Sequence, residues 1–356
     1  MSVRRWFGNG AALVAASVML AGCAPAPESG GTQAPDAGCV RMVTNSGGLE
    51  DRSFNQSSWE GLQQAEDELG VDAEAIVSTG ETDLEPNVQQ AVDSGCELIV
   101  TVGYELAEAT LQQGEANPDL AFAIVDETVD GENVKPVVFD TAQASFLAGY
   151  LAAGVSKTGV VATFGGGNQP PVTLFMDGFV DGVAKYNEVH GTAVRALGWD
   201  KAKQDGAFTG DFEDINKGKA LTEGFIDQGA DVILPVAGQV GEGAASAALE
   251  RGGVSVIWVD SDGYESLSPE FRPVLLTSVL KNTQDAMVEI VGAVQDGSFS
   301  NEPYVGTLEN GGVEIAPYHD LAGLVTPELD GEIEGLRQAI IAGELVVDSP
   351  SSPGSR

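Results

Sequence analysis

Residues 45–61, NSGGLEDRSFNQSSWEG, bring together side chains of the kinds that grip a small polar molecule. The amide of Asn45 precedes two glycines; two carboxylates and an arginine follow, then the ring of Phe54 and a second amide, Asn55. A ring and an amide side by side can stack on a flat ligand and hydrogen-bond its edge. The same residues also read as a helix start. Ser53 and Gln56 have the spacing of a capping box, serine at the N-cap and glutamine at N3. Phe54, Trp59, Leu62, Ala65 and Leu69 then recur close to helical spacing, which predicts a helix over 54–69. Capping leaves Phe54 and Asn55 unexplained in the first turn, so a ligand role stays open beside it. Enzymatic constellations are absent from the sequence: it has no G-x-S-x-G and no Walker A run. The loop FGGGNQPP at 164–171 runs into two prolines with no lysine after it, and reads as a cleft-side or hinge loop. Two histidines, His190 and His319, and the scattered cysteines are too few for a metal site. The expectation is a binding protein without a cofactor, and not an enzyme.

Positioning such residues requires a scaffold, and the chain alternates short apolar runs with helical patterns. VRMVT leads to the helix at 54–69, DAEAIV to a helix near 85–94, and ELIVTV to one near 104–115 and then AFAIVD. This is a series of βα units, hence a mostly parallel sheet with helices on both faces. The pattern restarts after about 142, with strands at GVVATFGG, DVILPVAG and VSVIWVD and helices near 172–187, 214–228 and 242–251. The stretches from ELIVTVGYELAEA to FAIVDE and from DVILPVAGQVGEG to VIWVDSD share one plan of strand, glycine turn, Ala-rich helix and strand ending in Val-Asp. Two lobes of the same topology follow. Ligands of open α/β sheets bind beyond the carboxyl ends of the strands, and Asn45, Gly103, Asp126, Gly238 and Asp260 all fall there. The predicted division is a first lobe at 39–141 and 275–300, a second at 142–274 and 301–348, and a disordered tail at 349–356.

The ends bound the setting. Arg4 and Arg5 precede AALVAASVML and then LAGC, a secretory signal with a small-residue cleavage site. Its apolar run is too short to span a bilayer. Cys23 directly after Leu-Ala-Gly resembles a bacterial lipoprotein signal, which implies a signal peptide at 1–22, lipidation of Cys23, and a Pro/Gly/Ala-rich tether at 23–38. Cys39 and Cys96 each stand just ahead of an apolar run. They can form a disulfide in an exported compartment if those runs are neighbouring parallel strands, or remain as reduced thiols. The chain has 17 basic against 54 acidic residues and a net charge of −37, which excludes nucleic acid and adhesion to anionic lipid.

SGGLEDRSFNQSSWEGLQQAEDELG resembles the Bmp family of basic membrane lipoproteins, substrate-binding proteins of ABC transporters similar to bacterial purine-nucleoside receptors. ELIVTVGYELAEA, SFLAGYLAAGVSKTG, MDGFVDGV, GDFEDINKGKAL, GADVILPVAGQVGEG, VIWVDSD and LLTSVLKNTQDAM extend the likeness along the chain. The resemblance implies a type I periplasmic-binding-protein fold: two doubly wound parallel-sheet α/β lobes joined by three hinge segments, with a nucleoside in the cleft. It implies that Phe54 and Phe212 stack on the two faces of the base, although Phe212 alone reads as a core aromatic. Asn55 and Asp126 would hydrogen-bond the base edge. Asp260 or Asp262, with Lys281, would hold the ribose hydroxyls, and Gly238 would let the backbone approach. Asp262 reads equally as a turn residue before Gly263; Lys281, one of only 17 basic residues and following the strand-like VLLTSV, stands out on its own, with a surface ion pair as the lesser alternative. The family usually has aspartate where this chain has Asn45, which leaves the base preference open; Tyr104, often phenylalanine there, adds a hydroxyl nearby. The implied partners are a nucleoside, a membrane permease and its ATPase, with a monomer held at the cell membrane by lipid alone, facing the exterior or periplasm. A receptor for a sugar or other polar ligand, or a surface sensor, is the alternative.

Overall fold

The computed structural model describes residues 38–353. The expected signal segment, the lipidation residue Cys23 and the tether as far as 37 lie outside the described residues.

Runs such as LIVTV at 98–102 are buried at every position, as expected for strands covered on both faces by helices. The first sheet takes β1 (Cys39–Thr44), β2 (Asp72–Ile76), β3 (Leu98–Val102), β4 (Ala121–Val125) and β5 (Val134–Phe139), all parallel. Helices α1 (Phe54–Leu69), α2 (Glu81–Asp93) and α3 (Ala107–Ala116) connect them. α2 begins at Glu81, ahead of the expected start near 85, and so contains Pro86. Its early start is held by Asp83, which accepts hydrogen bonds from the Thr79 N–H (3.0 Å) and hydroxyl (2.7 Å).

After β5 the chain crosses to a second sheet. In order come α4 (Thr141–Val155), β6 (Val160–Gly165), α5 (Pro170–His190), β7 (Arg195–Leu197) and a short hairpin of β8 (Trp199–Asp200) and β9 (Asp205–Gly206). Then follow α6 (Ile215–Asp227), β10 (Val232–Val236), α7 (Gly241–Arg251), β11 (Ser255–Asp260), α8 (Gly263–Ser266) and β12 (Leu275–Lys281). The chain returns with α9 (Thr283–Gln295), which packs on α1, and β13 (Tyr304–Gly306), which pairs with β5. It crosses once more to β14 (Val313–Ile315), antiparallel to β12, and α10 (Pro327–Ile341), which packs on α4. The strand orders are β13-β5-β4-β3-β1-β2 and β14-β12-β11-β10-β6-β7. Two α/β lobes of matching topology are thus linked by three crossings, after Phe139, Lys281 and Gly306. α4 is apolar all round because it is buried all round. It approaches α5 so closely that a Cβ on Gly149 would stand 2.0 Å from the Phe179 carbonyl oxygen.

Three boundaries differ from the sequence expectation. Residues 275–281 form β12 of the second sheet, paired with β11, so the crossing back falls at 281–283. Residues 304–306 belong to the first sheet. Residues 349–353 are not a free tail. Ser349 Oγ donates to Asp177 Oδ2 (2.6 Å), and Ser351 bonds Thr173 (2.9 Å); a buried Asp177 carboxylate needs such a donor. Cys39 and Cys96 form a disulfide between the start of β1 and the residue pair ahead of β3. Closing a loop of this length, a separation of 57, removes unfolded-state entropy equivalent to about 4 kcal/mol.

Candidate ligand-binding cleft

Beyond the strand ends lies a cleft of about 700 Å³, counting its open mouth. Asn45 enters it directly from β1, its N–H bonded to the Val102 carbonyl at the end of β3 (3.1 Å). The loop after it is organised by Asp51. One oxygen of that carboxylate accepts from the N–H groups of Ser53 (3.1 Å) and Gln56 (3.0 Å), the other from Asn55 (2.7 Å). The expected capping box does not form. An acid satisfies three of the unpaired donors at the helix start, where a hydroxyl satisfies one, and its charge suits the positive end of the helix dipole. Gln56 turns to Glu60 (2.9 Å) instead, and the Ser53 hydroxyl donates to Asp260 of the other lobe. The neighbouring Arg52 carbonyl accepts from Trp258 Nε1 (3.3 Å) and Ser261 Oγ (2.8 Å). Residues 51–53 therefore cap α1 and tie the two lobes together.

Burial pushes the Asp51 carboxyl up to about 6, against its three backbone donors and with a small push from Asp260. An acid whose folded pKa is raised binds more protons folded than unfolded, so its contribution to stability falls as pH rises from about 4 to about 6. The unfolding free energy of the wild type relative to Asp51→Asn is expected to fall by roughly 2 kcal/mol between pH 4 and pH 7 in urea titrations. A rise over that window would mean that the three N–H bonds outweigh burial.

Asp126 and Asp260 end β4 and β11 with the same left-handed backbone, φ 65° and 66°, so the two lobes repeat one turn. Lys281, at the end of β12, lies between them. Its Nζ is 2.5 Å from Asp126 Oδ2 and 3.6 Å from Asp260 Oδ1, and the residue is 5% exposed. It is no surface ion pair. Burial works against its ammonium, but the two carboxylates together outweigh it and hold the pKa above the usual lysine value. The same Nζ lies over the rings of Phe54 (5.1 Å) and Phe175 (5.3 Å), which favours the cation further.

Aromatic walls come from both lobes. Phe54 stands in the first turn of α1, and Phe212 in the loop before α6; both line the cleft. The glycines of 164–171 seat Phe212, since a Cβ on Gly166 would fall 2.3 Å from its ring. Gly238, with φ 51°, has open space around the missing Cβ apart from Phe212 at 4.0 Å. Asn55 and Asn45 lie side by side, Asn55 Nδ2 donating to Asn45 Oδ1 (2.8 Å).

Of the residues picked out in the sequence, Asn45, Phe54, Asn55, Asp126, Phe212, Gly238, Asp260 and Lys281 converge on this cleft. Asp262 does not line it. Its carboxylate caps α8 through the Tyr264 N–H (3.1 Å) and meets His319 Nε2 (2.7 Å). Sequence reasoning missed Asp51, Glu105, Phe175, Gln169 and Gln239, which also line the cleft. Gln169 and Gln239 flank the two glycine-bearing turns, and that adjacency was the available signal. Burial raises the Glu105 carboxyl above its ordinary range.

Residues 39–350 match the family model Bmp, ABC transporter substrate-binding protein PnrA-like. The CD4+ T-cell-stimulating antigen of Listeria innocua is 30% identical over 96% of this chain and 97% of its own. The ABC transporter nucleoside-binding protein BmpA of Lactococcus lactis is 30% identical over 97% and 99%. Among solved structures, an ABC transporter solute-binding protein of Aeropyrum pernix K1 aligns with a TM-score of 0.75 at 24% identity, covering 86% of this chain and 92% of that one; this likeness bears on the fold alone. Among the described residues no helix is long and apolar enough to cross a membrane. Family match, whole-length relatives and the two-lobed type I fold agree: the chain belongs to the Bmp family of PnrA-like ABC transporter substrate-binding proteins.

Proposed function

We propose that the cleft holds a nucleoside, with a purine base between Phe54 and Phe212, and that the protein hands it to an ABC permease driven by its ATPase. The observation that carries this reading is the meeting, in one cleft, of aromatic rings from both lobes with the buried Asp126–Lys281–Asp260 triad. Rings suit a flat base, and carboxylates suit the vicinal hydroxyls of ribose, since each hydroxyl can donate to an oxygen. Asn55 meets the base edge. Asp126, tied to Lys281, we group with Asp260 at the ribose end, while Gly238 gives the backbone room beside Phe212. The name of the Lactococcus lactis relative, a nucleoside-binding protein, points the same way.

The mechanism is hinge closure. A ligand that touches both lobes stabilises the closed arrangement already bridged by Arg52 and Ser53, and so shifts the open–closed equilibrium. Two stacked faces and a few buried polar bonds support micromolar affinity, about −8 kcal/mol. The protein acts as a monomer, held outside the membrane by lipid on Cys23; Cys23→Ala then moves it from the membrane fraction to the soluble one. The test of the ligand is calorimetric titration of protein stripped by unfolding and refolding, against guanosine, inosine, adenosine, cytidine, uridine, ribose and galactose. Micromolar binding of a purine nucleoside with both sugars silent is expected. Sugar binding without nucleoside binding would overturn the reading and leave the fold untouched.

A further inference from the structure

Among the described residues, two buried oxygens that line the cleft, Asn55 Oδ1 and Glu105 Oε2, have no hydrogen-bond partner. They stand on either side of Asn45, and one backbone donor fixes the orientation of all three groups. The Gly47 N–H donates to Asn45 Oδ1 at 3.2 Å, so the Asn45 atom on that side is the oxygen. The same oxygen accepts from the Asn55 amide, so the Asn55 atom facing it is the nitrogen, and Asn55 Oδ1 is left over. The remaining Asn45 atom, the Nδ2 donor, faces the Glu105 carboxylate. From a single backbone N–H outward, the polarity of this edge is set, and it ends in two buried oxygen acceptors. A buried acceptor left without a donor keeps its full desolvation penalty. A ligand that brings donors there recovers that energy, and one that brings an acceptor does not.

Asn45 is also what permits Glu105. An aspartate at 45 could still accept from Gly47 and Asn55 with one oxygen, but its second oxygen would oppose the Glu105 carboxylate. The amide turns that repulsion into attraction.

We propose that Asn45 and Glu105 together select the base, and that the site takes a 2-amino-6-oxopurine nucleoside in preference to a 6-aminopurine nucleoside. This rests on the nucleoside reading above. The edge of the first carries a ring N–H and an exocyclic N–H on neighbouring atoms, two donors for two acceptors. The second presents a ring-nitrogen acceptor there with one donor, and a 6-oxopurine without the 2-amino group presents a single N–H. A site built to bond a donor discriminates strongly against an analogue that lacks it, because its own buried groups are left unpaired.

The experiment titrates the stripped full-length protein with guanosine, inosine and adenosine, for wild type, Glu105→Gln, Asn45→Asp and the double variant. Ligand-free melting curves show that each variant folds. Guanosine is expected to bind wild type about tenfold more tightly than inosine and about a hundredfold more tightly than adenosine. Glu105→Gln is expected to bring these ratios to within about threefold. Asn45→Asp weakens guanosine binding, and adding Glu105→Gln restores part of the loss. Equal affinities in wild type, ratios that survive Glu105→Gln, or a double variant no better than Asn45→Asp overturn the selecting pair and leave the nucleoside reading standing. Failure of the folded protein to bind any nucleoside overturns both.

Discussion

Lys281→Met weakens nucleoside binding by about a hundredfold or more and lowers the melting temperature of the ligand-free protein. Methionine nearly matches the lysine stem in volume, so the change removes charge and leaves packing in place. What remains is a pair of carboxylates, Asp126 and Asp260, that had faced one buried ammonium at 2.5 and 3.6 Å. Removing one partner from a buried ionic group costs about 3–5 kcal/mol, because the other is left uncompensated. Part of that cost falls on the fold and part on the ligand, whose hydroxyls would meet an edge of unbalanced negative charge. The two readouts separate the shares: melting temperature for the first, titration calorimetry for the second. A pH series adds a sign. Burial and the neighbouring Asp260 charge already raise the Asp126 carboxyl against the pull of Lys281; without the ammonium it rises further, and the stability of the variant recovers as pH falls from 8 to 5. Unchanged affinity and unchanged melting together would remove Lys281 from both roles.

Most of this cleft was legible because its residues close recognisable units. Asp126 and Asp260 each end a run of buried apolar residues, and the repeated Val-Asp ending appears in the structure as two matching left-handed turns. Phe54 and Asn55 stood out because the helix signal around them left their chemistry unexplained. The failures share a different cause. Ser53 and Gln56 have the spacing of a capping box, but Asp51, two residues earlier, reaches the same N–H groups with two charged oxygens and wins. That competition depends on how the loop folds back, which spacing does not encode. Glu105 sits where acidic residues are ordinary, in the first turn of a helical segment. Its meaning comes from Asn45, 60 positions away along the chain by the numbering. The run 275–281 reads as a strand, but no local feature says which sheet receives it; pairing with β11 and β14 decides that. Asp262 stood as the alternative to Asp260 for the ribose hydroxyls, yet the turn at 260–262 sends it to His319.

Phe212→Ala is expected to lower nucleoside affinity by roughly tenfold to a hundredfold, and Phe54→Ala by a similar factor, because stacking of a base on an aromatic ring contributes about 1–3 kcal/mol per face. Combined, the two substitutions remove both faces and carry a micromolar ligand toward the millimolar range. The two positions differ in what else they hold. Phe54 packs against the core and lies under the Lys281 ammonium, so its loss also lowers the melting temperature. Phe212 is half-buried and packs against the same core, but it stands in a loop on the bare backbone of Gly166 and not under the Lys281 ammonium, so its removal is expected to cost the fold less. It is therefore the cleaner probe. Phe212→Leu keeps apolar area but loses the flat face, and is expected to recover less than half of the lost binding energy if stacking is what matters. Equal affinity of Phe212→Leu and wild type would show that area alone suffices, and the ring would then be a lid. Loss confined to Phe54→Ala, with Phe212→Ala silent, would mean that only one face of the base is covered.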